Sequence, residues 1–298
     1  MSDEQTALRE LIADLAASHP GETVAGDLPS AWANIRELGL DSIGVTEDSG
    51  GSGGTLAHLA VIVDALGEAA QPRVVPGVPW GRSADLLIVY SENGPPRAYD
   101  LTDGTVTLAP DVNVAGEQRD TIDLGDATGR ELVGAPTVAA VRDRLGLLWA
   151  AALTGVMRGA YNKTRDHVRV REQFGAPLIK ISAVASAVAT FKTQLLLAET
   201  AVAKAVDALD GADGGADMAS VASARIVAAS GATEAARLAH QLHGAMGVTQ
   251  EDGLHRLTTR LWAWQDAVTS ERQWAILLGE AAIDGGEELV WSDLTSAF

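Results

Sequence analysis

The segment Trp262–Trp274, WAWQDAVTSERQW, sets Asp266, Thr269, Ser270 and Glu271 within six positions. A carboxylate beside hydroxyls is equipment for removing a proton from a bound substrate. A second concentration of chemistry is RGAYNKTRDHVRVR, Arg158–Arg171, which holds five of the 22 basic residues of the chain. At about 100° per residue on a helix, Arg158, Arg165 and Arg169 share one stripe and Arg171 faces nearly the other way. Guanidinium groups so placed suit either the chain's own carboxylates or an anion such as a pyrophosphate, and the residue types leave both open.

A third stretch, HQLHGAMGVTQEDGLHR, puts Gly244 and Gly247 where a helix ends and where another backbone or a ligand can come close. Its His240 and His243 lack the carboxylates that a zinc or di-iron site would add, so no metal is expected. Trp262, Trp264 and Trp274 crowd the first segment and are expected in core packing. The chain has no cysteine, which excludes disulfides, thiolate nucleophiles and cysteine-ligated metals. Redox chemistry would have to come from a bound cofactor. A formal net charge of -18, from 40 acidic and 22 basic residues, argues against binding a nucleic-acid backbone.

The elements that carry these residues fall into three parts. Residues 1–72 show helix signals in EQTALRELIADLAA, SAWANIRELG and TLAHLAVIVDALGEAA, with the glycine-rich stretch Thr46–Gly54 expected as a loop, since it lacks the lysine of a phosphate cradle. Residues 73–136 change to short β-type runs, DLLIVYS, RAYDL, TVTLA and TIDL, divided by turn signals, which predicts a small antiparallel sheet. Residues 137–298 read as a four-helix bundle, with segments at Thr137 to about Phe174, Leu178 to about Leu209, Met218 to about His243 and Gly253 to about Ile283. The start, MSDEQTALRE, has no signal-peptide pattern, and the run GLLWAAALTGVM is about half of the roughly 20 residues that a membrane span needs. A cytoplasmic protein without membrane or nucleic-acid partners is expected.

REQFGAPLIK followed by a long helix, then HQLHGAMGVTQEDGLHRLTTRLW, resembles the C-terminal half of the flavin-dependent acyl-CoA dehydrogenases, and AWANIRELGLDSIGVTEDSGGSGGT resembles their first helical domain. The resemblance implies a mainly α fold made of an N-terminal helical domain, a reduced β domain and a C-terminal four-helix bundle. It also implies FAD as cofactor and an acyl-CoA thioester as substrate, oxidised between its α and β carbons. Carried over residue by residue, the family's contact to the FAD pyrophosphate of a neighbouring subunit falls on Arg171, and the position near the adenine on Phe174. The contact to the ADP portion falls on Gln241 and Gly244, and the hydroxyl that follows the base on Thr269. The family base itself falls on Ala267, its alternative position near Leu145, and a flavin-contacting glutamine on Glu271; Asp266 is the substitute base to test. Ile181 and Ser182 stand where flavin contacts are expected, and the middle-domain segments that cover the flavin ring have no counterpart. This pattern resembles the short, degenerate subunit of the heteromeric acyl-CoA dehydrogenases of steroid-degrading bacteria, active in a heterotetramer whose longer partner supplies the base. The alternatives are a self-sufficient homomeric enzyme using Asp266 and a non-catalytic helical scaffold. The stripe of Arg158, Arg165 and Arg169 stays unassigned.

Overall fold

The computed structural model describes residues 62–64, 74–91, 94–211 and 217–286, so most of the expected N-terminal helices and the stretch Thr46–Gly54 lie outside the described residues. The chain divides into two compact units, Met1–Gly134 and Ala135–Phe298.

The first unit holds two sheets. One orders β1 (Ile62–Asp64), β3 (Leu86–Ser91), β4 (Gly94–Asp100) and β7 (Arg130–Glu131), and the other β2 (Val74–Pro79), β6 (Arg119–Asp123) and β5 (Thr107–Ala109). All pairings are antiparallel except β1 with β3. Ile62–Asp64 fell within an expected helix; its adjacent β-branched Ile62 and Val63 suit an edge strand instead. Val75, Val78, Leu87, Val89, Tyr99, Ile122 and Leu124, drawn from both sheets and their margins, form one buried cluster.

The second unit is the helical bundle. Helix α1 (Val138–Val170) starts on Thr137, whose hydroxyl accepts from the Ala140 N–H, and buries Leu147, Ala150, Leu153, Met157 and Ala160 at helical spacing. A small hairpin, β8 (Glu172–Gln173) and β9 (Ala176–Pro177), and a 3-10 turn at Leu178–Lys180 lead to α2 (Ser182–Gly211). The first helix thus stops four residues before Phe174, because those residues pair as the hairpin. Helix α3 (Met218–His243) starts on Asp217, which accepts from the Ala219 and Ser220 N–H groups. Of the 16 residues that α3 buries, nine are alanine.

The electrostatic influence of Asp217 on Asp143 joins the starts of α3 and α1, and His243 stacks on His167 near the ends of both, so these two helices run parallel. The fourth segment, expected as one helix from Gly253 to Ile283, is two: α4 (Leu254–Trp264) and α5 (Glu271–Gly285). A capping box restarts the ladder, Ser270 accepting from the Gln273 N–H while the Gln273 side chain accepts from the Ser270 N–H. Trp274 then lies fully buried over Gly146, where an added Cβ would meet its ring at 2.6 Å. None of the described helices is long and apolar enough to cross a membrane.

Candidate functional site

The site residues expected from the sequence fall into two clusters. The first gathers where α1 and α3 end. Arg171 closes α1, its N–H donating to the His167 carbonyl at 2.8 Å, while its guanidinium has no hydrogen bond or ion pair among the described residues. It lines a cavity of about 790 Å3 together with Lys163, His167, Glu172, His243 and Asp252. Beyond it, Phe174 and Gly175 form the two-residue hairpin turn with φ of 56° and 81°. Two positive φ values match the twist of a tight hairpin, but an aromatic residue is strained there. Phe174 is also 91% exposed.

His167 and His243 stack with ring centroids 4.3 Å apart. His243 Nδ1 lies 2.9 Å from the Ala239 carbonyl, which can only accept, so Nδ1 carries the proton and a neutral ring leaves Nε2 as an acceptor. That Nε2 is buried without a hydrogen-bond partner, 3.9 Å from Asp252, whose other oxygen is 3.5 Å from the Lys163 ammonium. Burial holds the pKa of both imidazoles below the ordinary histidine value. At His243 the Ala239 hydrogen bond and Asp252 oppose the drop while His167 and Lys163 add to it; at His167 Asp252 opposes it while Arg171 and Lys163 add to it.

The next residue, Gly244, turns the chain at φ 60° and ψ −144°, a conformation open to glycine, and donates its N–H to the His240 carbonyl. Gln241 is exposed on the last turn of α3 and accepts from Arg237 Nη1 at 3.0 Å. His240 bonds Thr258 at 2.8 Å and stacks on Trp262. This end of the bundle presents an unpaired cation, neutral imidazoles and an open backbone, which suits an anionic group attached to a flat ring.

The second cluster is the link 265–270 between α4 and α5. Asp266 is exposed there, Ala267 carries no functional group, and Thr269 is 5% exposed with its hydroxyl unpartnered. Arg225 of α3, fully buried, donates through Nη2 to the carbonyls of Gln265, Ala267 and Thr269. Arg225 lies 16 residues before Gln241 on α3, so the two clusters stand about 24 Å apart at 1.5 Å per residue.

Elsewhere, Arg158 pairs with Glu199 and Arg165 with Asp166, which gives two members of the arginine stripe carboxylates of this same chain. Leu145 and Ile181 are half-buried and Ser182 exposed. Lys163, His167, Asp252 and Arg225 were not singled out individually in the sequence. They stand beside the expected residues through the packing of α1, α3 and the link; Lys163 and His167 lie inside the basic run and Asp252 inside the third stretch, whereas nothing in the sequence pointed to Arg225.

Fold and site together describe a mainly α protein with a β unit and a helical bundle. Residues 142–265 match the family model for the acyl-CoA dehydrogenase C-terminal domain. The acyl-CoA dehydrogenase IpdE2 of Mycobacterium tuberculosis is 26% identical over 91% of this chain and 95% of its own length. Among solved structures, the ChsE4-ChsE5 complex of Mycobacterium tuberculosis superimposes with a TM-score of 0.82 at 14% identity over 95% of this chain and 98% of that one. A variant of the Tcur3481-Tcur3483 steroid ACAD does so with a TM-score of 0.81 at 18% identity over 96% and 99%. Residues 142–265 thus carry the acyl-CoA dehydrogenase C-terminal domain, and over most of its length the chain is similar to proteins of that family.

Proposed function

We propose that this chain is one subunit of a two-chain FAD-dependent acyl-CoA dehydrogenase, in which it holds part of the cofactor and a longer partner chain supplies the base. The observation that carries this reading is the contrast between the clusters. The first has an unpaired Arg171 guanidinium and an exposed, strained Phe174, both of which a dinucleotide from another chain's site would satisfy. The second, at the family's base position, offers Ala267 and a backbone already bonded to Arg225.

The residues of the first cluster fit the diphosphate and adenosine portion of FAD. Arg171 takes the pyrophosphate, Phe174 covers the adenine face, and Gln241 and Gly244 meet the ADP portion. They do not supply contacts to the flavin ring, since Ile181 and Ser182 replace them. The cofactor, when bound, supplies the hydride acceptor for α,β-dehydrogenation of an acyl-CoA thioester. The α proton would go to a carboxylate of the partner chain, with Asp266 left exposed. The separation of about 24 Å along α3 supports placing each cluster against a different site, completed by a neighbouring subunit. The likeness to structures named as pairs, one of them a steroid ACAD, supports a two-chain assembly acting on a steroid-derived acyl-CoA.

The test is co-expression with a longer acyl-CoA dehydrogenase chain, followed by a visible spectrum of the purified protein. Flavin bands confined to the co-purified complex are expected. A yellow protein from this chain alone would instead assign the base to Asp266, and colourless protein in both cases would leave a scaffold. In the complex, Arg171→Ala should weaken flavin retention about 10- to 100-fold, the loss of one hydrogen bond to a charged group; unchanged retention would remove Arg171 from the site.

A further inference from the structure

The link 265–270 contains neither proline nor glycine and lies between two helices, yet it leaves the helical path. It curls instead around one atom. Arg225 Nη2 donates to the Gln265 carbonyl at 2.8 Å, to the Ala267 carbonyl at 3.2 Å and to the Thr269 carbonyl at 3.3 Å. In an unbroken helix each of these oxygens would accept from the N–H four residues on, so the guanidinium and the helix compete for the same acceptors.

The backbone between them is strained. The Thr269 N–H donates to the Ala267 carbonyl at 2.9 Å, closing a three-residue turn over Val268, whose φ of 68° is one that a β-branched residue avoids. Arg225 is itself an uncomfortable group: it is fully buried, and Nε and Nη1 have no hydrogen-bond partner. Burial brings its pKa down to about 10, with the charge of Asp266 opposing the drop, so it stays cationic at neutral pH. A buried cation without a contacting carboxylate is costly in itself. The interactions that offset the cost are the three carbonyls and the nearby charge of Asp266, and all of them belong to the link.

We propose that Arg225 is a positioning residue, which pins 265–270 out of the helical path and thereby fixes where Ala267 and Thr269 stand at the acyl-CoA site. The catalytic part of this role rests on the dehydrogenase reading above; the pin itself does not.

Two variants of the co-expressed complex test it. Arg225→Met keeps most of the side-chain bulk and removes every donor. Arg225→Lys puts three donors on one nitrogen, the arrangement that three converging carbonyls require. Amide hydrogen exchange of the peptide spanning 262–274 is measured beside kcat and KM. For Arg225→Met, exchange in the link should quicken, and kcat should fall about a hundredfold with KM nearly constant, as expected when reacting groups are displaced without losing substrate contacts. Arg225→Lys should restore both in large part. Exchange equal to the wild type in Arg225→Met, or faster exchange with unchanged kcat, would overturn the proposal.

Should Arg225→Met fail to fold, the lysine variant decides. Slow exchange with near-normal kcat supports the pin, and fast exchange with normal kcat overturns it. A wild-type complex without flavin and without acyl-CoA oxidation would defeat the dehydrogenase reading alone; link exchange in the two variants would then still decide for or against the pin.

Discussion

His243 gives its Nδ1 proton to the Ala239 carbonyl and keeps a buried Nε2 with nothing to accept from, so charging this ring means adding a proton where burial opposes it. Its folded pKa lies below the ordinary value of 6.5. The unfolded chain therefore binds the proton first as pH falls, and stability is lost from about 6.5 downward until the folded ring titrates as well. Thermal melts between about pH 7.5 and 5.5 should show a falling midpoint. The slope should be shallower in His243→Asn, which keeps a donor for Ala239 and has no titrating ring. His167 and His240, also depressed by burial, will retain part of the slope. An unchanged slope would mean that His243 titrates normally. At this scale the sequence was only partly legible. Arg171, Phe174, Gln241 and Gly244 could be named because they lie in short contiguous motifs. The stacking of His167 on His243 could not, since 76 positions separate them and only the parallel course of α1 and α3 brings them together.

Helix positions followed from apolar spacing wherever the cause was local: Thr137 and Asp217 cap α1 and α3 at or beside the boundaries that periodicity predicts. The break between α4 and α5 carried one local signal that the apolar spacing overrode, Ser270 followed three residues on by Gln273. The path of the link before Ser270 follows Arg225, 40 residues earlier on another helix, and a distant side chain that captures carbonyls leaves no mark in the local composition. The strand at Ile62–Asp64 illustrates the same point, because TLAHLAVIVDALGEAA has helical spacing and its Ile-Val pair turns to β structure only beside β3. After the break, α5 is registered by its capping box and by the seat of Trp274 on Gly146. An added methyl there would lie 2.6 Å from the indole, so Gly146→Ala must move α5 or the ring. We expect a destabilisation of about 1–3 kcal/mol in chemical denaturation, with a shift in tryptophan emission. A neutral result would show that the indole has room to yield.

Over the whole molecule, the division at Gly134 and Ala135 leaves a C-terminal unit with one continuous buried cluster of its own, running from Leu147 to Trp274. Residues 135–298 expressed alone should therefore fold, with a helical far-UV circular dichroism spectrum and a single cooperative melt. A molten, non-cooperative product would show that the bundle depends on residues 1–134. The composition of α3 has a consequence for that melt. Nine of its 16 buried residues are alanine, so the bundle gains closeness of backbones more than burial of large side chains. Unfolding it uncovers little hydrocarbon per residue, and the heat-capacity increment should lie below the usual figure of about 12–15 cal/mol/K per residue. The stability curve of the bundle is then broad and flat, and cooling weakens it less than it weakens proteins whose cores are built of leucine and isoleucine.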